Sequence, residues 1–193
     1  MGIAVIGCSF VDIKGLPLAP YIPAGRNVGR VETVHGGVCR NVAEDIANLG
    51  LRPAFISLVD DTGTGQDVVD RLRLAGCDVS WLRRSPRGMG TWLAVFDNSG
   101  DVVASISSRP DMTPLMAVLE QEGDAIFSQA DSVVIEIDMD EALVLRVLSL
   151  AEKYHIQVYA VVSNMSIAME RRSLMRRLGC VVCNLQEAGI LFS

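Results

Sequence analysis

The stretch His35-Gly36-Gly37-Val38-Cys39-Arg40-Asn41-Val42-Ala43-Glu44-Asp45-Ile46-Ala47-Asn48-Leu49-Gly50 governs how the rest of the chain is read. Val38, Val42, Ile46 and Leu49 recur at three- and four-residue steps, the period of one helix face. Gly50 stands where a helix commonly ends in a positive-φ residue. A Gly36-Gly37 pair at the head of this helix lets a ligand approach the backbone closely, near N–H groups that have no partner within the helix. Asn41, in the first turn, carries both a donor and an acceptor. Taken alone, the glycine pair is equally a plain turn leading into an amphipathic helix.

Upstream, residues 3–10 form a near-continuous apolar run, which predicts a strand buried on both faces of a parallel sheet. Asp12 follows at its carboxyl end, where open α/β sheets bind ligands. Its carboxylate is a candidate acceptor for hydroxyls, or else a turn-forming Asp. Residues 14–33 are rich in Pro and Gly, with only weak strand patterning at Val28 and Val31. A long irregular segment of this kind is usually functional or mobile.

Downstream, residues 54–59 predict a second strand, and a loop from Asp60 to Gln66 runs into a helix capped by Thr62 or Thr64. Gly63-x-Gly65 is too short for a dinucleotide fingerprint. Val79 to Leu82 reads as a third strand, followed by a solvated basic edge at Arg83, Arg84 and Arg87. Residues 91–96 and 102–106 flank Asp97-Asn98-Ser99-Gly100, a hairpin that interrupts the βα alternation. Thr113 and Pro114 open a helix as cap and first residue. Residues 132–137 form a strand that runs out through Glu136 to Asp138, and Glu141 to Tyr154 carry the clearest helical stripe. A strand at 156–162, a solvated arginine face (Arg171, Arg172, Arg176, Arg177) and a buried strand from Cys180 to Cys183 complete the pattern.

The 193 residues are 50% hydrophobic and 21% charged, enough for a proper core and too apolar for disorder. A net charge of −6 argues against a general binder of nucleic acid or anionic membrane. No apolar segment approaches the length of a membrane span. Five cysteines, an odd number without a secretion signal, point to reduced thiols and a cytoplasmic protein. Cys180-x-x-Cys183 does not read as a redox or zinc pair. Residues three apart in a strand face opposite sides, and no second ligand pair follows. Cys39, at a helix start, is the one thiol whose pKa a helix N-terminus would lower, unless it is simply packed.

The string GGVCRNVAEDIANLG at 36–50, with the strand, loop and helix that follow it, resembles the N-terminal signature of the ribokinase-like (PfkB) family of sugar and nucleoside kinases. Its GGV-x-RN-x-A form is closest to the pseudouridine kinases of that family. The resemblance extends along nearly the whole chain and covers the N-terminal two-thirds of the family's fold. It implies a three-layer α/β architecture with a mostly parallel sheet and a small β lid, residues 14–35 and 91–106 being lid segments within a partial domain at 1–193.

By the same resemblance, Asp12, the backbone of Gly36 and Gly37, and Asn41 would hold sugar hydroxyls. Glu136, or Asp138 in its place, would face the sugar. Asn184-Leu185-Gln186-Glu187 matches an N-x-x-E motif that organises phosphate and magnesium, and a carboxylate acting through water suits Mg2+. Ser163-Asn164-Met165 departs from the Asp-Pro expected after its strand. ATP and Mg2+ are implied for the complete enzyme. The implied acceptor is a ribonucleoside such as pseudouridine first and a simple sugar second, with a homodimer formed through the lid. The Gly-Ala-Gly-Asp signature that supplies the family's catalytic Asp and anion hole has no counterpart here. No catalytic residue is therefore assigned, and the chain alone is expected to be inactive as a kinase. The alternative is an inactive ligand-binding or dimerisation module.

Overall fold

The computed structural model describes residues 2–192. Its first strand, β1 (Ile3–Ile6), lies in a six-stranded sheet whose paired strands are all parallel. Ala4 and Ile6 belong to the core on one face and Val5 to the core on the other. That two-sided burial is the reason the strand is apolar at successive positions rather than alternate ones.

The apolar run does not continue as one strand to residue 10. It breaks at Gly7-Cys8, and β2 (Ser9–Pro17) leaves for a second sheet. The Gly7 carbonyl accepts from the Ser57 hydroxyl at 2.6 Å, so the break leaves no orphaned acceptor there. A side chain on Gly7 would run into Cys39 and the Glu136 carboxyl group. Asp12 accordingly sits within a strand of the small sheet, not in a loop at the end of β1. Hydropathy could not show this, because both strands are apolar and the backbone changes direction at one small residue.

The chain continues through β3 (Gly29–Gly36), α1 (Val38–Asn48), β4 (Ala54–Val59), α2 (Gly63–Ala75) and β5 (Leu82–Arg84). Next come β6 (Met89–Phe96), β7 (Val102–Ser108), α3 (Thr113–Gln121), α4 (Gly123–Phe127), β8 (Ser132–Glu136) and α5 (Glu141–Tyr154). The last elements are β9 (Gln157–Val161), α6 (Met165–Glu170), a 3-10 turn at Arg172–Arg177, β10 (Cys180–Val182) and α7 (Leu185–Phe192). The large sheet has the order β10-β9-β8-β1-β4-β5. One side of it carries a core built with α3, α4 and α5, through residues such as Leu115, Phe127, Leu143 and Val147. The other side packs Cys39, Ala43 and Ala47 of α1 with Val68, Val69 and Leu72 of α2. The three-layer reading holds.

The second sheet has the order β3-β2-β6-β7, antiparallel at both ends and parallel between β2 and β6. It is broader than the segments 14–35 and 91–106, starting at Ser9 and running to Ser108. Its hairpin turns at Gly100, whose φ of 88° is open to glycine without strain.

Three local expectations shift. The strand after α2 is Leu82–Arg84 and not Val79 to Leu82, because Asp78 makes only an isolated bridge to Ala54. The cap of α3 is Met112, with the Asp111 carboxylate accepting from the Thr113 N–H, so Thr113 is already helical. Cys180 is exposed, since β10 is an edge strand and not a buried one. Thr62 is the cap of α2, accepting from the Gly65 N–H. Among the described residues no helix is long and apolar enough to cross a membrane.

Candidate functional site

Gly37 is the cap of α1 and has no side chain to receive the N–H groups of the first turn. Glu136, from the end of β8, supplies the acceptor instead. Its Oε1 accepts from the Cys39 N–H at 2.9 Å and the Cys8 N–H at 3.3 Å. A carboxylate only 3% exposed thereby sits at the positive end of a helix and ties β8 to the point where β1 and β2 part. Burial is the largest influence on this group and outweighs the N–H donors, so its pKa rises to about 7.

The same corner settles the cysteines. Cys39 is fully buried against the Glu136 carboxyl, and its thiol is pushed well up, first by burial and then by that charge. Cys8 is raised for the same two reasons. Neither is an activated nucleophile, and the helix N-terminus at Cys39 does not overcome desolvation.

Asp12 projects from β2 over Gly36, where a side chain would overlap its carboxyl group. Gly36 is buried and makes the space in which that carboxyl sits. Burial raises the Asp12 pKa, opposed by Lys14 and Arg40. Gly37 takes φ 98°, and a Cβ there would collide with the Cys8 carbonyl. The pair is therefore needed for two different reasons, space at Gly36 and backbone conformation at Gly37.

Asn41 is positioned by Arg40, its neighbour within the motif, to which the sequence assigns no role. Arg40, 5% exposed, donates from Nη2 to the Asn41 Oδ1 and from Nη1 to Glu44 Oε2 at 2.7 Å. Arg71 holds the other Glu44 oxygen at 2.5 Å. With its carbonyl oxygen taken, Asn41 keeps its amide N–H groups to offer elsewhere. The i,i+4 spacing of Arg40 and Glu44 was the available signal in sequence.

These groups meet in one cavity of about 290 Å³. Asp12, Gly37, Asn41, Glu136 and Asp138 line it together, with Cys8, Phe10, Val38 and Trp92 among the apolar walls. Asp138 is held by Ser163, whose N–H donates to Oδ1 at 3.1 Å and whose hydroxyl donates to Oδ2 at 2.5 Å. Arg109, just past β7, donates to the Asp138 carbonyl at 2.6 Å and spans from the small sheet to the large one. Ser107 and Arg109 also line the cavity and, like Trp92, are marked by no sequence motif, while Ser163 and Asn164 line it at the place where the chain departs from the expected Asp-Pro. They are brought in by strand pairing and by loops at the carboxyl ends of β8 and β9.

Asn184 and Glu187 do not line this cavity. They form a reciprocal capping pair at the start of α7. The Asn184 N–H donates to Glu187 Oε2 at 2.7 Å, and the Glu187 N–H donates to Asn184 Oδ1 at 2.8 Å. Glu187 Oε1 makes no hydrogen bond among the described residues, which leaves it open to a hydrated cation. No group of three His, Cys, Asp or Glu side chains among the described residues could hold a metal ion directly.

A model of the pfkB family of carbohydrate kinases matches residues 2–193. A guanosine-inosine kinase of Exiguobacterium acetylicum is 36% identical over 190 residues, covering 98% of this chain and 63% of the relative. A pseudouridine kinase of Escherichia coli (strain K12) is 26% identical over 141 residues, covering 72% of this chain and 45% of the relative. Among solved structures, Arabidopsis thaliana ribokinase complexed with ribose and ATP superposes with a TM-score of 0.80 at 17% identity, over 98% of this chain and 62% of that one. The chain thus spans less than two thirds of the length of these relatives.

Proposed function

Because this chain belongs to the pfkB family of carbohydrate kinases, we propose that it forms the acceptor-binding part of an ATP-dependent ribonucleoside kinase. One observation carries the reading. Asp12, Trp92 and Ser107 are register partners across β2, β6 and β7, and all three line the cavity. Side chains paired in this way share one face of the sheet. Two interstrand steps carry this row about 10 Å from Asp12 to Ser107. A free pentose fills only the Asp12 end of such a row. A ribonucleoside fills all of it, with hydroxyls at Asp12, Asn41 and the Gly37 backbone, and its base against the Trp92 indole. Stacking of a base on an aromatic side chain contributes about 1–3 kcal/mol.

In this reading Glu136 holds α1, and through it Gly37 and Asn41, in place for the sugar. The small sheet acts as a lid that keeps water from the acceptor hydroxyl. When bound, MgATP would supply the transferred phosphoryl group and neutralise its charge. Glu187 Oε1 and the Asn184 side chain are the groups here that would organise its hydrated magnesium. The relatives' names support nucleosides as the acceptor class, purine and pseudouridine alike.

The lid sheet also supports a homodimer. Its other face carries the row Ile13, Leu93 and Ile106 beside Val31, with Leu93 40%, Ile106 70% and Val31 74% exposed. A second copy of this chain would cover that surface.

Calorimetry with inosine, pseudouridine and ribose tests the acceptor reading. Either nucleoside should bind at least about tenfold tighter than ribose, the effect of one stacked base. Ribose binding as tightly as both nucleosides would overturn it.

A further inference from the structure

Arg40 occupies a place that the stability of α1 does not favour. It lies in the first turn of the helix, where the dipole opposes a positive charge, and it is 5% exposed. Its buried Nε has no hydrogen-bond partner among the described residues. A buried guanidinium with an unpaired N–H is costly. Glu44 offsets the charge from the next turn, accepting from Nη1 at 2.7 Å. Arg71 of α2 holds the other Glu44 oxygen, but its side chain is 58% exposed and water screens it. The remaining hydrogen bond of the guanidinium goes from Nη2 to the Asn41 Oδ1. Asn41 lines the cavity, whereas Arg40 is not among its lining residues.

We propose that Arg40 is a positioning residue that fixes the polarity of the acceptor site, making Asn41 a donor only beside Asp12, an acceptor. The proposal rests on the reading of Asp12 and Asn41 as hydroxyl-binding groups and names the residue that sets the direction of one of them. A carboxamide carries donor and acceptor on one planar group and by turning over presents either. Arg40 has donors only. With Asn41 turned over, its N–H groups would face the N–H groups of Arg40, and buried donors would go unpaired. The ionised Asp12 carboxylate accepts only. The site thus reads a pair of neighbouring oxygens in one direction. One hydroxyl donates to Asp12, and the oxygen beside it accepts from Asn41 and needs no hydrogen of its own.

The test combines calorimetry with inosine and NMR of the Asn41 side-chain amide. Asn41→Asp keeps two acceptors for Arg40 and removes the donors, so it should bind inosine as weakly as Asn41→Ala. Arg40→Met should weaken inosine about fivefold, the effect of one neutral hydrogen bond. Placed on top of Asn41→Ala, it should cost nothing further. Without ligand, the Asn41 amide of the natural chain should show the heteronuclear NOE of a rigid group, and Arg40→Met should bring it down to that of exposed asparagines. Asn41→Asp binding inosine as tightly as the natural chain would overturn the proposal. So would an Arg40→Met loss of the same size with and without Asn41, which marks a merely structural arginine, or an Asn41 amide already mobile in the natural chain. None of these outcomes touches the ribonucleoside reading, which fails separately if ribose binds as tightly as inosine and pseudouridine.

Discussion

Asp12 and Asn41 reach the cavity from different sheets' worth of structure, one from β2 and one from the first turn of α1, and their proposed task is to pair with hydroxyls. Asp12→Ala should therefore weaken inosine binding about tenfold or more, as expected for the loss of a charged acceptor. Asn41→Ala should act in the same direction through loss of its amide donors. Titration calorimetry reads both, and unchanged affinities would remove the two residues from the site.

Glu136 gives a second prediction at this scale. Its carboxyl is raised to about 7 in the folded chain, so between the ordinary carboxylate range and about pH 7 the folded state holds a proton that the unfolded chain has released. Stability from this group is full at low pH and is lost as pH rises through that window. Glu136→Gln keeps an acceptor for the Cys39 N–H and removes the titration. Urea unfolding at pH 5 and pH 8 should show the natural chain losing about 2.5 kcal/mol relative to this variant. A constant difference between the two pH values would contradict it.

Among the elements, α1 depends most on a single backbone conformation. Gly37 combines a φ of 98° with the Cys8 carbonyl at its back, so Gly37→Ala should cost about 2 kcal/mol or more, measured as a lowered urea midpoint. Gly36→Ala should cost binding before stability, because the new methyl displaces the Asp12 carboxyl and not the backbone. For the lid sheet, a charge in the middle of its exposed apolar row tests the dimer. Ile106→Glu should convert a dimer to a monomer in sedimentation velocity, while inosine affinity per chain stays the same, because Ile106 lies on the face away from Trp92 and Ser107. A monomeric natural chain would end the dimer proposal.

For residues 1–193 taken together, the prediction is that the segment carries the proposed acceptor site, since its cavity draws Asp12, Trp92 and Ser107 from the small sheet and Glu136 and Asp138 from the end of β8. Inosine titrated into the chain should give binding heat that disappears at the urea concentration where the fold is lost. No heat from the folded chain would count against the proposal.

The sequence by itself determined the three-layer sheet-and-helix order, because burial on both faces of β1, β4 and β8 and the single stripe of α5 leave different periodicities in the chain. It also brought forward Asp12, Gly36, Gly37, Asn41 and Glu136, through resemblance to a family's signature. The tertiary structure alone decided where β1 stops and β2 turns away, that Glu136 caps α1 from 97 residues downstream, and that Trp92, Ser107 and Arg109 join the same cavity. Those facts depend on strand pairing and through-space hydrogen bonds between distant residues, and local sequence pattern carries no record of which strand will lie beside which.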